Sequence, residues 1–96
     1  MAKKIYSVEI DTSAYDAYEI LRADTVGECE EFIKSRGLLE DEDVGDVRLA
    51  VLSVQDDGET NCEKLYKCEK SWKFDEKQRA VPIIVYSEIV YSEVTA

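Results

Sequence analysis

Hydrophobic and polar residues alternate with a period of two along several short stretches of the chain, which is the pattern of half-buried β-strands. Residues 3–10 are rich in β-branched side chains and precede a turn-prone Asp-Thr-Ser, so they predict a strand that opens a hairpin. Residues 47–54 predict a second clear strand. Residues 83–85 predict a third, which Pro82 restricts to a strand start or a sheet edge. Asp57-Gly58 predicts a tight type I′ hairpin turn, because both residues tolerate positive φ.

The period changes to that of a helix between Thr25 and Arg36. Thr25 and Glu28 form the sequence signature of a capping box, and Gly37 supplies a left-handed stop. The apolar line of this helix is Val26, Cys29, Phe32 and Ile33. The sequence therefore predicts one helix of about 12 residues over this stretch.

Two stretches are compatible with either a strand or a helix. Residues 14–22 alternate like a strand, but Ser13 and Asp16 also resemble a helix cap. Residues 60–74 place Tyr66, Cys68, Trp72 and Phe74 on one strand face that Lys70 interrupts, whereas a helix would begin at Thr60. We predict strands in both stretches, because the helix that begins at Thr25 leaves little linker before it and the strand face of residues 60–74 is the more apolar.

These elements predict a single domain, residues 1–96, of the α+β class. We expect a mainly antiparallel sheet of about five strands with one helix packed on one face, in the order ββαβββ. The residues expected in its core are Phe32, Ile33, Leu49, Val51, Trp72, Ile84 and Val85.

A five-residue unit occurs twice near the end of the chain, in VYSEIVYSEV (residues 85–94). Because five is odd, the second copy faces the opposite side of a strand from the first, so both faces are half apolar. Such a strand is either covered on both sides or contacts another molecule, unless a β-bulge restores one register. We therefore predict that this strand contacts another molecule, either a second copy in a homodimer, as in a structural or assembly protein, or a different partner. The alternative is that the duplication is accidental in a β-rich sequence. The residues predicted to form the contact are Tyr86, Val90, Tyr91 and Val94.

Charge sets this chain apart from an average globular protein. Its 22 acidic and 12 basic residues give a net charge of −10, which opposes binding to nucleic acid or to an anionic membrane. Residues 1–63 carry net −11, whereas residues 64–80 carry six basic and three acidic residues. An acidic body with one basic band predicts a basic protein as the partner.

The residues needed for common catalytic and metal sites are missing. The chain has no histidine, so it contains no Ser-His-Asp or Cys-His site and no Cys/His zinc site. Its four glycines are isolated and do not form a phosphate-binding loop. The carboxylates around Gly45 do not have the spacing of an EF-hand. We therefore predict that the protein is not an enzyme and has no cofactor. A small-ligand or cation-binding domain is the third functional hypothesis, after binding of a basic protein and self-association.

Acidic residues from separate parts of the chain can imitate rows of phosphates if folding gathers them on one face. The leading hypothesis is that the protein inhibits a nucleic-acid-processing enzyme by occupying its basic surface. In composition, but in no motif, the chain resembles small acidic proteins of viruses and mobile elements that block restriction or CRISPR nucleases. The residues predicted to contact the partner are Glu40, Asp41, Glu42, Asp43, Asp46, Asp56, Asp57 and Glu59.

The remaining expectations concern location and the basic band. Without an apolar stretch long enough to span a bilayer or to act as a secretion signal, the chain is expected to be cytoplasmic and not membrane-bound. Its basic band interleaves lysines with Trp72 and Phe74, a composition that can bind single-stranded nucleic acid. Four lysines in so acidic a protein favour the alternative, that the band pairs with acids of this chain or of a partner.

Overall fold

The structure is a computed structural model that describes residues 3–90, in which five strands form one antiparallel sheet with a helix on one face. The elements are β1 (Lys3–Thr12), β2 (Tyr18–Ala23), α1 (Val26–Arg36), β3 (Val44–Val54), β4 (Thr60–Phe74) and β5 (Ala80–Glu88). Their order across the sheet is β2-β1-β3-β4-β5. This confirms the predicted α+β class and the ββαβββ order. Within residues 3–90, no helix is both long and apolar enough to cross a membrane.

Helix α1 begins and ends where its capping residues predict. The Thr25 hydroxyl accepts a hydrogen bond from the Glu28 backbone N–H at 3.2 Å, which satisfies one of the free donors of the first turn. Gly37 adopts the left-handed conformation (φ 60°), and its N–H bonds to carbonyls of the last turn. The helix lies over β1 and β2 and buries Cys29 and Ile33 against the sheet.

The core lies between α1 and the helix-facing side of the sheet. Because strand side chains alternate between faces, the central strands β1 and β3 contribute every second residue to this core. Its buried members are Val8, Ile10, Cys29, Ile33, Leu38, Val47, Leu49 and Cys68. The other side of the sheet carries no helix among the described residues. Even so, Ser7, Ala50 and Leu52 are buried there.

The long strand β4 belongs to two different strand pairs. Its first part, Thr60 to Cys68, pairs with β3, and its second part, Tyr66 to Phe74, pairs with β5. The two pairings overlap only over residues 66–68, so the outer part of β4 and most of β5 extend beyond the paired part of β3, which begins at Val47, as a two-stranded ribbon.

Two predictions about the core are wrong, for different reasons. Trp72 was expected to be buried but is 57% exposed, and Val85 is 39% exposed. Trp72 lies on the helix-facing side but in the ribbon, where α1 does not cover it, whereas Val85 lies on the side of the sheet that carries no helix. Ile33 and Leu49 are buried as predicted, and Phe32, Val51 and Ile84 are half-buried.

Both ambiguous stretches contain strands, as predicted. The strand predicted at residues 14–22 begins later, at Tyr18, because Thr12 starts a turn in which its hydroxyl accepts hydrogen bonds from the N–H groups of Ala14 and Tyr15. The strand predicted from Val47 begins earlier, at Val44, which pairs with Thr12. Residues 44–46 therefore belong to β3 and not to a loop.

The β3–β4 hairpin turns at the predicted position but not with the predicted geometry. A type I′ turn needs positive φ at both central residues, whereas only Gly58 (φ 87°) has it. The Gly58 N–H bonds to the Gln55 carbonyl at 2.9 Å, so the turn spans residues 55–58 and the left-handed glycine is its last residue. The β4–β5 hairpin repeats this arrangement with Gln78 (φ 63°) in the glycine position.

Candidate protein-binding surfaces

The predicted acidic residues fall into two groups at opposite ends of β3. Residues 40–43 form the loop before β3, and Asp46 lies near the start of that strand. Asp56, Asp57 and Glu59 lie in the hairpin after it. An 11-residue strand is roughly 35 Å long, so the structure does not bring the two groups together. We use the name acidic loop for residues 40–46, which are the loop before β3 together with the first three residues of that strand, and the name hairpin tip for residues 56–59.

Part of the acidic loop is neutralised by cations of the same chain. Glu40 forms an ion pair of 2.7 Å with Lys70, which extends from the β4–β5 ribbon. Asp46 contacts Arg48 at 3.3 Å and Lys67 at 4.0 Å. Two lysines of the basic band therefore pair with this chain's own acids, which is one of the two roles expected for that band.

Three consecutive carboxylates of the acidic loop remain exposed. Asp41, Glu42 and Asp43 form no ion pair within residues 3–90. The Asp41 side chain accepts a hydrogen bond from the Asp43 N–H at 2.9 Å, which holds the loop in a tight turn without neutralising its charge. Within residues 3–90, these three side chains are the carboxylates of the acidic loop that no cation of the chain neutralises.

The sequence pattern gave no sign of the network that fixes the start of β3. One Asp11 carboxylate oxygen accepts the Asp46 N–H at 2.6 Å, and the other lies 3.3 Å from the half-buried Arg48 guanidinium. The Asp46 N–H, followed by Arg48, holds the pKa of Asp11 below its usual value. Gly45 is required for this approach, because a Cβ there would lie 2.2 Å from the same Asp11 oxygen. The carboxylate and its partners are 35 to 37 positions apart in the chain, so no local pattern predicts them.

The residues predicted for self-association have different surroundings. Tyr86 lies on the helix-facing side of β5, where its hydroxyl donates a 2.6 Å hydrogen bond to the Glu30 carboxylate of α1. Its ring packs edge to face on Tyr66. Val90 is 74% exposed. Tyr91 and Val94 lie outside the described residues, so self-association through this set stays a prediction.

The ribbon presents two aromatic side chains from the strand face that the alternating pattern predicted to be apolar. Trp72 and Phe74 are exposed on the helix-facing side, and the Lys70 ammonium lies 4.9 Å above the Trp72 ring. A strand pattern identifies which residues share a face, but it does not show how far the covering helix reaches.

An open groove beside the start of α1 is relevant to the small-ligand alternative. It has a volume of about 410 Å³, and a Lys4–Glu63 ion pair of 3.7 Å lies at its rim. The groove is lined mainly by Tyr6, Val26, Leu49, Val51, Tyr66 and Tyr86. Its charged lining residues are Lys4, Glu63 and Lys64, and the rest of its lining is mainly apolar.

The described residues contain no cluster of three or more His, Cys, Asp or Glu side chains placed to hold a metal ion. All three cysteines are free thiols. Burial raises the pKa of the Cys29 thiol and raises that of Cys68 to about 12, which makes both poor nucleophiles at neutral pH.

Comparison of the chain with protein-family models, with curated proteins and with solved structures finds no match.

Proposed function

We propose that this protein is a non-enzymatic, acidic protein-binding module that inhibits a nucleic-acid-processing enzyme in the cytoplasm. It would do so by occupying the basic surface with which the enzyme holds nucleic acid, as anti-restriction and anti-CRISPR inhibitors do. The observation that supports this proposal best is the run of exposed carboxylates at Asp41, Glu42 and Asp43 on a chain of net charge −10. Uncompensated carboxylates attract the same cationic side chains that bind phosphates.

The proposed surface is smaller than the set predicted from sequence. The hairpin tip lies at the far end of β3, so it is not part of a continuous patch with the acidic loop. Glu40 and Asp46 already have cationic partners in the chain, so they contribute less net charge than Asp41, Glu42 and Asp43. We therefore assign the contact to the acidic loop alone.

Two charge-matched variants test this assignment. One changes Asp41→Asn, Glu42→Gln and Asp43→Asn in the acidic loop, and the other changes Asp56→Asn, Asp57→Asn and Glu59→Gln in the hairpin tip. Each raises the net charge by three, so general electrostatic attraction is weakened equally. Asparagine keeps an oxygen that can accept the turn-forming hydrogen bonds of Asp41 and Asp57.

The immobilised proteins are used to capture partners from a host lysate at low and at high salt, and each captured protein is then tested for displacement of bound duplex DNA or RNA. We expect the chain to capture a basic, nucleic-acid-binding protein that is eluted by high salt. The chain should displace this protein from its nucleic acid, and the acidic-loop variant should fail to capture it. Equal capture by both variants, or a partner whose nucleic acid stays bound, would overturn the proposal.

A second candidate function, assembly through the C-terminal strand, is favoured by a separate observation. Strand β5 forms one edge of the sheet, and β4 is its only strand neighbour among the described residues. An unpaired strand edge is a template for another strand.

A further inference from the structure

We propose that two copies of this chain join edge to edge through antiparallel pairing of β5 with β5 of the partner. This inference rests on the assembly function above, and it specifies the partner and the backbone groups that form the contact. It follows from the direction of the hydrogen bonds in β5, from the distribution of charge and from a comparison of the two sheet edges.

The hydrogen bonds at both ends of the β4–β5 pair fix which backbone groups of β5 are free. The Ile89 N–H bonds to the Leu65 carbonyl at 2.8 Å, and the Asp75 N–H bonds to the Arg79 carbonyl at 3.0 Å. In an antiparallel ladder every second residue faces its neighbour, and the pairing is regular from Ala80 to Glu88. Odd-numbered residues of β5 therefore bond to β4, and even-numbered residues point their N–H and C=O groups outward.

The outward-facing residues form a compatible edge for another strand. Ile84, Tyr86 and Glu88 each present both an N–H and a C=O group. Pro82 presents only a carbonyl, since proline has no N–H, and its place on the outward side agrees with the confinement of proline to sheet edges. A new strand can thus pair from Pro82 to Glu88 without disturbing the bonds to β4.

Charge favours a second copy as the occupant. Two chains of net charge −10 repel one another through most of their surfaces. Residues 80–87 carry no charged side chain, and the whole β4–β5 hairpin, residues 60–88, has six basic and five acidic residues. Two copies that meet at β5 therefore approach through the least negative part of the molecule. A basic partner would find no acidic side chain on this edge except Glu88.

The opposite edge of the sheet is protected against such pairing. Strand β2 has only six residues, and its pairing with β1 skips Ile20 at a bulge. It also carries the ion-paired Glu19 and Arg22. Short length, a bulge and charge are the usual means of blocking an edge strand. Strand β5 has nine residues, regular pairing and no charge before Glu88, so Pro82 is its principal protective feature.

Two identical antiparallel strands pair about a two-fold axis, which here passes close to Val85 and Tyr86. The result is a continuous ten-stranded sheet with both helices on the same face. Pairing of strand edges alone buries little side-chain surface, so we expect a dimer whose population depends on concentration.

A matched pair of variants tests the contact. Val85 (39% exposed) and Val81 (41% exposed) both point away from α1 on β5, but only Val85 lies within the pairing segment. Val85→Lys places like charges beside the two-fold axis and should convert the dimer to monomer, whereas Val81→Lys should leave the dimer intact. Mass is measured by sedimentation equilibrium over the widest concentration range that solubility allows.

Amide hydrogen exchange supplies an independent measure that needs no variant. On dimerisation the amides of Ile84, Tyr86 and Glu88 should gain protection, while those of Val85 and Ser87 are protected at every concentration because they bond to β4. A wild-type monomer at all concentrations would overturn both this inference and the assembly function. A dimer that Val85→Lys leaves unchanged, or that gives no alternating gain of protection, would overturn the edge pairing and leave assembly standing.

Discussion

The hydrogen bond from Tyr86 to Glu30 joins the edge strand to the helix, and its removal by Tyr86→Phe should lower stability by about 1 kcal/mol. The two groups are 56 positions apart and 2.6 Å distant, and the carboxylate is a strong acceptor. A hydrogen bond to a charged group contributes roughly 1.5–3 kcal/mol when it is well buried. We take a lower figure of about 1 kcal/mol because both side chains are partly exposed.

Urea denaturation followed by far-UV circular dichroism at neutral pH measures this change. In thermal denaturation, a loss of about 1 kcal/mol should lower the Tm of a chain of this size by roughly 4–8 °C. Tyr66→Phe is the matched control, because the Tyr66 ring packs on Tyr86 but its hydroxyl makes no hydrogen bond in the described part of the chain. That substitution should change stability by less than about 0.5 kcal/mol. Equal losses in the two variants would refute the assignment.

The same contact should appear in the alkaline limit of stability. Burial, followed by the hydrogen bond to Glu30, raises the pKa of Tyr86 above its ordinary value of about 10. Because the folded protein holds this proton more tightly than the unfolded chain, the contribution is complete below about pH 10 and is lost as the pH rises further. The wild-type protein should therefore lose up to about 1.4 kcal/mol per pH unit more than Tyr86→Phe above that pH. The buried thiols affect both proteins equally, so parallel curves would contradict the explanation.

Two further predictions concern the hairpins and the thiols. Gly58→Ala should destabilise the protein by about 1 kcal/mol, because it adds a Cβ to a residue at positive φ. Gln78→Gly should stabilise it by about 0.5 kcal/mol, because it removes the Cβ from a residue at positive φ. Denaturation curves of the two variants that shift in the same direction would contradict this explanation. In the folded protein a thiol reagent should modify the exposed Cys62 quickly, and should modify Cys29 and Cys68 only after urea unfolds the chain. Rapid modification of all three thiols without urea would contradict the burial of the latter two.

Local signals were enough to predict the elements, because the atoms that decide them are close in sequence. The Thr25 cap and the Gly37 stop act within one turn of the helix, and the alternation in residues 47–54 records which side of a strand is covered. Even the ambiguous residues 60–74 proved to be a strand with the predicted common face.

Burial along that face was not predictable, because it depends on how the strands are offset. Nothing in the residues around Trp72 shows that β4 pairs with β3 only as far as Cys68, and that beyond this residue it pairs with β5 alone. The same limit applies to the acidic residues. Asp43 and Asp56 are only 13 positions apart, but β3 fills most of that interval as an extended strand and separates the acidic loop from the hairpin tip.

The two proposed contacts use different residues, which gives a final prediction about stoichiometry. Glu40 reaches the ribbon through Lys70, but Asp41, Glu42 and Asp43, to which the partner contact is assigned, are exposed in the loop before β3, and β3 lies two strands from the β5 edge. We therefore expect pairing through β5 to leave these three carboxylates accessible, and a dimer presents two loops related by the two-fold axis. We expect two partner molecules per wild-type dimer, and one per Val85→Lys monomer with the same affinity for each loop. The mass of the complexes, measured by light scattering, checks this. If Val85→Lys abolished partner binding as completely as the acidic-loop variant does, the partner would require both the β5 edge and the acidic loop. The conclusion that these two contacts are independent would then be wrong.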